Sequence, residues 1–405
     1  MLTVVYANEE APESVSTSMF LAGPSPRGQE EHNWRPRALE VLEKLGFDGV
    51  VYIPLPRHQG GDFDYIKQVD WETKHLNKAD MIVFWVPRDA ELPGFTTNVE
   101  WGMWYDSGKV VLGFPSYAAK TRFLQAKAKE EHVRVFHTLD ETLVHAVDRL
   151  RNQYSSIQID RKGGEQDVPL YIWMNNGFQE WYRTQTAAGN RLDGAKVVWT
   201  SRVGKDKQFL FFFALHVNVF IASENRNKTN EVVITRPDVS MVIPYYIPSD
   251  SLSLERLAKS YLDIKVVMVR EFRSPARTTD GFIHEVPGGS SWRGGQSNFE
   301  IMVDELKEET GLVISQASRF RYVGARQLSG TLSSHKAHVW SVSLSDDEFR
   351  VVEEMVKNQV SHGVEEDSER TFVEIKTLRQ LHDSDCDLVD WSTMGMIFAA
   401  LAPVY

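Results

Sequence analysis

The stretch Glu305-Leu306-Lys307-Glu308-Glu309-Thr310-Gly311-Leu312 decides how the second half of this 405-residue chain reads. Its carboxylates at 305, 308 and 309 stand at i, i+3 and i+4, on one face of a helix. Three such charges repel one another unless a divalent cation sits among them. Hard carboxylate oxygens suit Mg²⁺ or Mn²⁺, ions that favour phosphate-bearing substrates. The pair Gly288-Gly289 lies 16 residues before Glu305, so the order is glycine-rich loop, helix, acidic face. The same residues also read as a solvated acidic helix face closed by a glycine C-cap.

This order resembles the Nudix box. Glu305, Leu306, Glu308, Glu309, Gly311 and Leu312 fit the tail of the box, while Asp304 stands at its arginine position and Gln296 at its first glutamate. Upstream, the run Val266 to Pro275, containing Arg270-Glu271-Phe272-Arg273, and His284-Glu285-Val286-Pro287-Gly288-Gly289 resemble the ADP-ribose pyrophosphatase branch of that family. The resemblance implies an α+β domain whose mixed sheet is sandwiched by helices. It implies Mg²⁺ (or Mn²⁺) held by Glu305, Glu308 and Glu309, with Glu308 also catalytic. It places Arg273 against a substrate phosphate and Glu285 among the substrate-binding residues. The implied reaction is diphosphate hydrolysis of a nucleoside diphosphate derivative such as ADP-ribose or an NAD-like compound. Glu365, Glu366 and Glu369 are candidates for a general base, and read equally well as a solvated charge run. Strand-like runs at 196–200, 209–221 and 231–235 precede this core, and in that branch such strands help form a homodimer.

The first part of the chain alternates short apolar runs with helical patterns. Strands are expected at 19–23, 49–54, 81–86 and 110–115, and helices at 34–46, 71–78 and 97–107. Alternation of this kind predicts a parallel sheet covered by helices on both faces. Residues 118–155 read as helical and charged, and the polar stretch 156–169, with its Gly163-Gly164 pair, reads as a linker. The expected layout is therefore an α/β domain at 1–155, a linker at 156–169 and an α+β domain at 170–405.

In an open parallel sheet, ligands sit at the carboxyl ends of the strands. Three segments meet there: Phe20-Leu21-Ala22-Gly23-Pro24-Ser25-Pro26-Arg27-Gly28, Asp70-Trp71-Glu72, and Thr96-Thr97-Asn98-Val99-Glu100-Trp101-Gly102. Small residues in the first loop let backbone N–H groups approach a ligand, and Arg27 adds a cation. Together the segments resemble the nucleoside 2-deoxyribosyltransferase superfamily, including its nucleotide N-glycosidase members, over residues 3–125. That resemblance implies a flavodoxin-like sheet, Glu100 as the nucleophile at the anomeric carbon, and Glu72 as the acid that assists the departing base. It places Gly23, Arg27, Thr96, Thr97 and Asn98 around the substrate. Phe20 stands where many members carry tyrosine. Asp80 reads as a structural residue at a strand start.

Composition bounds the remainder. Hydrophobic residues make up 42% of the chain, ample for two packed cores. A net charge of −11 excludes a dedicated nucleic-acid binder with a basic surface. Cys386 is the only cysteine, which excludes an internal disulfide and a cysteine zinc site. No apolar run is long enough for a bilayer span and no signal peptide is evident, so the expectation is a cytosolic protein without a membrane partner. The expected partner is a small-molecule nucleotide, within a homodimer. Three functional classes fit: a bifunctional nucleotide-processing enzyme, a nucleotide-sensing protein with one or both sites catalytically degenerate, and a structural or interaction protein built on two decayed enzyme folds.

Overall fold

The computed structural model describes residues 2–26, 33–58, 64–154, 160–248, 261–290, 295–314, 316–363, 370–383 and 390–402. The chain divides into two compact units, Met1–Thr235 and Arg236–Tyr405.

The first unit holds β1 (Thr3–Tyr6), β2 (Ser14–Val15), β3 (Ser18–Ala22), α1 (Arg35–Lys44), β4 (Val50–Ile53), α2 (Tyr65–Lys78), β5 (Met81–Trp85), α3 (Phe95–Trp104), β6 (Val110–Gly113), α4 (Arg122–Glu130), β7 (Val135–Phe136) and α5 (Leu139–Tyr154). Six of these strands form one parallel sheet in the order β1-β4-β3-β5-β6-β7. Alternate residues serve opposite faces, as the period of a strand requires. Phe20, Tyr52, Ile82, Phe84 and Leu112 pack with Trp71 and Trp101 on the face of α2 and α3. Met19, Leu21, Val51, Val83 and Val111 pack with Val41, Leu42, Leu143 and Val147 on the face of α1 and α5. Burial on both faces explains why these strands read as unbroken apolar runs. The strand order reverses between β3 and β5, so a crevice opens at their carboxyl ends.

Two elements differ from the sequence reading. Helix α2 begins at Tyr65 rather than 71, because the Asp64 side chain accepts hydrogen bonds from the Ile66 and Lys67 N–H groups. The segment 118–155 is two helices separated by the two-residue strand β7.

The stretch expected to be a linker packs against the sheet. Its described part contains β8 (Arg161–Lys162), which pairs with β2. Arg161 and Asp80 are both buried, and the guanidinium meets the Asp80 carboxylate at 2.8 and 2.5 Å. Asp80 also accepts from the Ser18 and Leu170 backbone N–H groups at 2.8 and 2.7 Å, and Arg161 donates to the Val168 carbonyl at 2.7 Å. Asp80 is thus structural, as read. The chain continues through α6 (Leu170–Trp173) and α7 (Asn176–Ala187) into an antiparallel meander of β9 (Arg191–Val203), β10 (Phe209–Ile221) and β11 (Arg226–Thr235). These strands belong to the first unit, so the division falls at 235/236 and differs from the expected one at 156–169.

The second unit holds β12 (Val239–Tyr246), β13 (Lys265–Phe272), β14 (Phe282–Glu285), β15 (Gly288–Gly289), α8 (Asn298–Thr310), β16 (Phe320–Gln327), β17 (Lys336–Ser343), α9 (Asp346–Asn358), β18 (Ser361–His362), β19 (Thr371–Thr377), α10 (Leu378–Leu381) and α11 (Trp391–Leu401). The mixed sheet runs β16-β17-β12-β13-β19-β18. One face packs on α8 and α9 through Met302, Leu306, Phe349 and Val352, and the other on α10 and α11 through Leu378, Leu381 and Ile397. Strands β12 and β13 pair only at Tyr245–Tyr246 with Lys265–Val266. Beyond that point they part, and β15 takes the free edge of β12 while β14 takes that of β13. Helix α8 carries the expected signals, a capping box of Ser297 with Glu300 and Gly311 in the left-handed C-cap. Among the described residues no helix is long and apolar enough to cross a membrane.

Removing one partner of a buried ion pair leaves an uncompensated charge. Arg161→Leu is expected to destabilise the first unit by about 3–5 kcal/mol, read as a fall in the urea midpoint of its transition.

Candidate functional site

In the first unit the crevice at the strand ends is a cleft of about 800 Å³, walled by α2, α3 and the loops after β3, β4 and β5. Glu72 comes from α2 and Glu100 from α3, and both line it. Glu72 accepts a hydrogen bond from the Gln68 amide at 2.6 Å. Both carboxylates are half-buried. Burial, and after it the charge of neighbouring Glu72, push Glu100 up to about 8 against the opposing pull of Arg35. Burial likewise raises Glu72, while Gln68 and Arg35 oppose the rise. Two carboxyls that share a dry cleft cannot easily both ionise.

The loop that floors the cleft is fixed from behind. Arg35 is buried and donates to the carbonyls of Leu21 at 3.2 Å, Pro24 at 3.4 Å and Gly23 at 2.9 Å. The Trp34 indole donates to the Pro24 carbonyl at 3.2 Å. Gly23 is required here: at φ +151° an added Cβ would lie 2.1 Å from the Trp85 carbonyl oxygen. Helix α3 starts at a left-handed Gly94 without a side-chain cap. Its first N–H groups therefore stand open beside Thr96 and Thr97, as an anion site needs.

Of the residues expected around this substrate, Gly23, Glu72, Thr96, Thr97 and Glu100 line the cleft. Asn98 does not, and its side-chain oxygen accepts from Arg88 at 2.6 Å. Arg27 lies outside the described residues. Phe20 is fully buried in the core beside Trp71. Arg35 and Gln68 were not expected. A carbonyl-binding arginine leaves no spacing signal, whereas Gln68 precedes Glu72 by one helical turn and was readable.

In the second unit the glycine pair meets the acidic helix. The Gly288 N–H donates to a Glu309 carboxylate oxygen at 2.8 Å. A Cβ on Gly289 would fall 2.3 Å from the Glu305 carboxylate, so a side chain there would displace that carboxylate from the loop. Glu309 is buried and held well above the ordinary glutamate range by burial, with Glu305, Glu285 and Glu271 adding repulsion. Burial pushes Glu285 up to about 7, and Arg273 and Arg236 oppose it. Arg273 pairs with buried Glu271 at 2.8 Å. Glu271 was missed, although it continues the inward register of Val267 and Val269 along β13. Glu365, Glu366 and Glu369 lie outside the described residues.

The expected three-carboxylate metal site is not assembled. Glu308 points to solvent, and among the described residues no group of three or more His, Cys, Asp or Glu side chains could hold a metal ion. Glu309 accepts from the Gly288 N–H. The donor chemistry still suits a hard cation, because Glu305 and Glu309 are neighbours and their mutual repulsion is what such an ion would relieve.

Residues 16–117 match the family described as "Nucleoside 2-deoxyribosyltransferase like", so this part of the chain is a domain of that kind. The match spans every residue that builds the first cleft. A solved structure titled "Crystal structure of ADP compounds hydrolase" is similar over 52% of this chain and 93% of its own, at 14% identity and a TM-score of 0.30. No curated protein matches the chain.

Glu100's raised value means the folded chain holds that proton more tightly than the unfolded chain. Its contribution is therefore favourable below pH 4.5 and is lost as pH rises through about 8. Glu100→Gln is expected to stabilise the first unit by roughly 2 kcal/mol at pH 8, allowing for partial solvent screening, and to change nothing at pH 4. Thermal unfolding at the two pH values measures the difference.

Proposed function

We propose that the chain is a bifunctional nucleotide-processing enzyme, with N-glycosidic bond cleavage or transfer in the first unit and Mg²⁺-dependent diphosphate hydrolysis in the second. The observation that carries the first assignment is the pairing of Glu72 and Glu100 in one cleft at the strand ends. Perturbed acids in a cleft are the mark of acid–base and nucleophilic work.

In the first unit the Glu100 carboxylate attacks the anomeric carbon, forming an ester as the bond to the base nitrogen breaks. Glu72 gives its proton to the departing base. Water or a second base then attacks the same carbon, Glu72 takes the incoming proton, and Glu100 is released. The open N-terminus of α3, with Thr96 and Thr97, supports a 5′-phosphate on the sugar. In the second unit Glu305 and Glu309, with Glu308 at the exposed edge, would hold Mg²⁺, which supplies phosphoryl polarisation when bound. Glu285 and Arg273 surround the substrate. Loss of the base from a dinucleotide such as NAD yields an ADP-ribose-like product, the diphosphate class proposed for the second unit. The dispersed carboxylates favour one other reading, a second unit that binds a nucleotide without turning it over.

The test is mass spectrometry of products from NAD, ADP-ribose and nucleoside monophosphates with Mg²⁺. Free base is expected to vanish in Glu100→Ala, and monophosphate products in Glu308→Gln, each by at least about a hundredfold. Tight ADP-ribose binding without turnover in the wild type marks the second unit as a sensor, and no product from any substrate contradicts both assignments. The pH profile carries a second prediction. The active form needs Glu100 ionised and Glu72 protonated; because the Glu72 charge helps hold the proton on Glu100, this is the minor form of the pair, and base release follows a bell whose limbs belong to both. Glu72→Gln leaves only Glu100 to titrate. The bell becomes a single rise with pH, at a midpoint below 8 because the neighbouring charge is gone.

A further inference from the structure

Helix α2 has a second functional face. Glu72 and Gln68 look into the catalytic cleft, whereas Lys74, His75 and Lys78 line a separate cavity of about 1070 Å³ on the opposite side of the helix. The far wall of that cavity is the Gly163–Gly164 turn and Asp167, the stretch pinned to the sheet by Arg161. Gly164 sits flush on β9, since a Cβ there would fall 2.1 Å from the Asp193 carbonyl carbon.

Lys78 is the unusual member. It is only 5% exposed, yet it makes no hydrogen bond or ion pair among the described residues. Its ammonium lies 5.3 Å from the centre of the Tyr52 ring, a contact that leaves its donors unsatisfied. Burial lowers it to about 8, and Asp167, near enough to interact but not in contact, offsets part of that. No described side chain accepts from it, so its donors are free to meet a ligand in the cavity that Lys78 lines. Half-buried Asp167 is the one carboxylate acting on Lys78 from the far wall, and the others are engaged or peripheral. Glu9 is bound to Arg57 and Asp193 to Arg191, while Glu10, Glu13 and Asp70 stand at the exposed rim. Lys74 and Lys67 continue the cationic row along α2, one and three turns from Lys78.

We infer that this cavity is a second ligand site, distinct from the catalytic cleft, which takes a small phosphorylated molecule with a phosphate on Lys78. A phosphate has acceptor oxygens for each of the three ammonium protons, and the row of lysines extends the site for a second phosphate. The site's existence does not depend on the reaction assigned to the cleft.

The experiment is isothermal titration of the full chain with inorganic phosphate and with pyrophosphate, in EDTA to silence metal-dependent binding. Wild type, Lys78→Met, Lys74→Gln and Glu72→Gln are compared. Lys78→Met keeps the buried stem without the charge, and Lys74→Gln is a surface change that cannot unfold the helix. Pyrophosphate is expected to bind wild type and Glu72→Gln alike, at least about tenfold more weakly in Lys78→Met, and about threefold more weakly in Lys74→Gln. Equal binding in wild type, Lys78→Met and Lys74→Gln would overturn the inference, as would the absence of binding by either anion at millimolar concentration.

Discussion

The buried pair of Asp80 and Arg161 is the constraint on which the first unit depends. Asp80 stands where α2 ends and β5 begins, so its position sets the position of both. Its two oxygens accept from Arg161, Ser18 and Leu170, which ties β3, β5 and the 160–170 segment to one point. Close by, Lys109 donates to the carbonyls of Leu76, Asn77 and Ala79 at 2.7, 2.6 and 2.9 Å, closing the C-terminus of α2 with a cation as the helix dipole favours. An α2 held this firmly can present Glu72 to Glu100 at a fixed place. The cost of crowding two acids in a half-dry cleft is met by packing and hydrogen bonds elsewhere, as strained functional sites require.

The second unit solves a similar problem with glycine. Strands β12 and β13 part after a short paired stretch, and the backbone between them reaches the acidic helix at Gly288 and Gly289. Without side chains on that loop, Glu309 can receive a backbone N–H and Glu305 can lie flat against the chain. The repulsion among Glu305, Glu309, Glu285 and Glu271 is answered only in part by Arg273 and Arg236.

Much of this was legible in the sequence because it depends on local rules. Alternating apolar runs and helical periods announce the parallel sheet, and the Ser297 and Gly311 caps bracket α8. Glu72, Glu100, Thr96 and Thr97 could be placed in one cleft because strand ends converge in any open sheet. What escaped depends on long-range pairing. Arg161 lies in a polar stretch with no periodic signal, and its partner is 81 residues away, so it read as linker. The antiparallel meander read as strands but not as part of the first unit, since sequence shows the element and not its neighbour. Arg35 was invisible because it binds carbonyls, which every residue carries.

On the proposed reaction, Glu100 is a nucleophile that becomes covalently bound to the sugar. This is tested most directly by incubating the chain with a nucleoside monophosphate analogue carrying fluorine at the 2′ position, which slows the second step more than the first. Intact-protein and peptide mass spectrometry then locate any adduct. A sugar-phosphate adduct on the peptide that contains Glu100, absent in Glu100→Ala, is the expected result. Release of base from the analogue without any adduct, or an adduct that survives in Glu100→Ala, would contradict it.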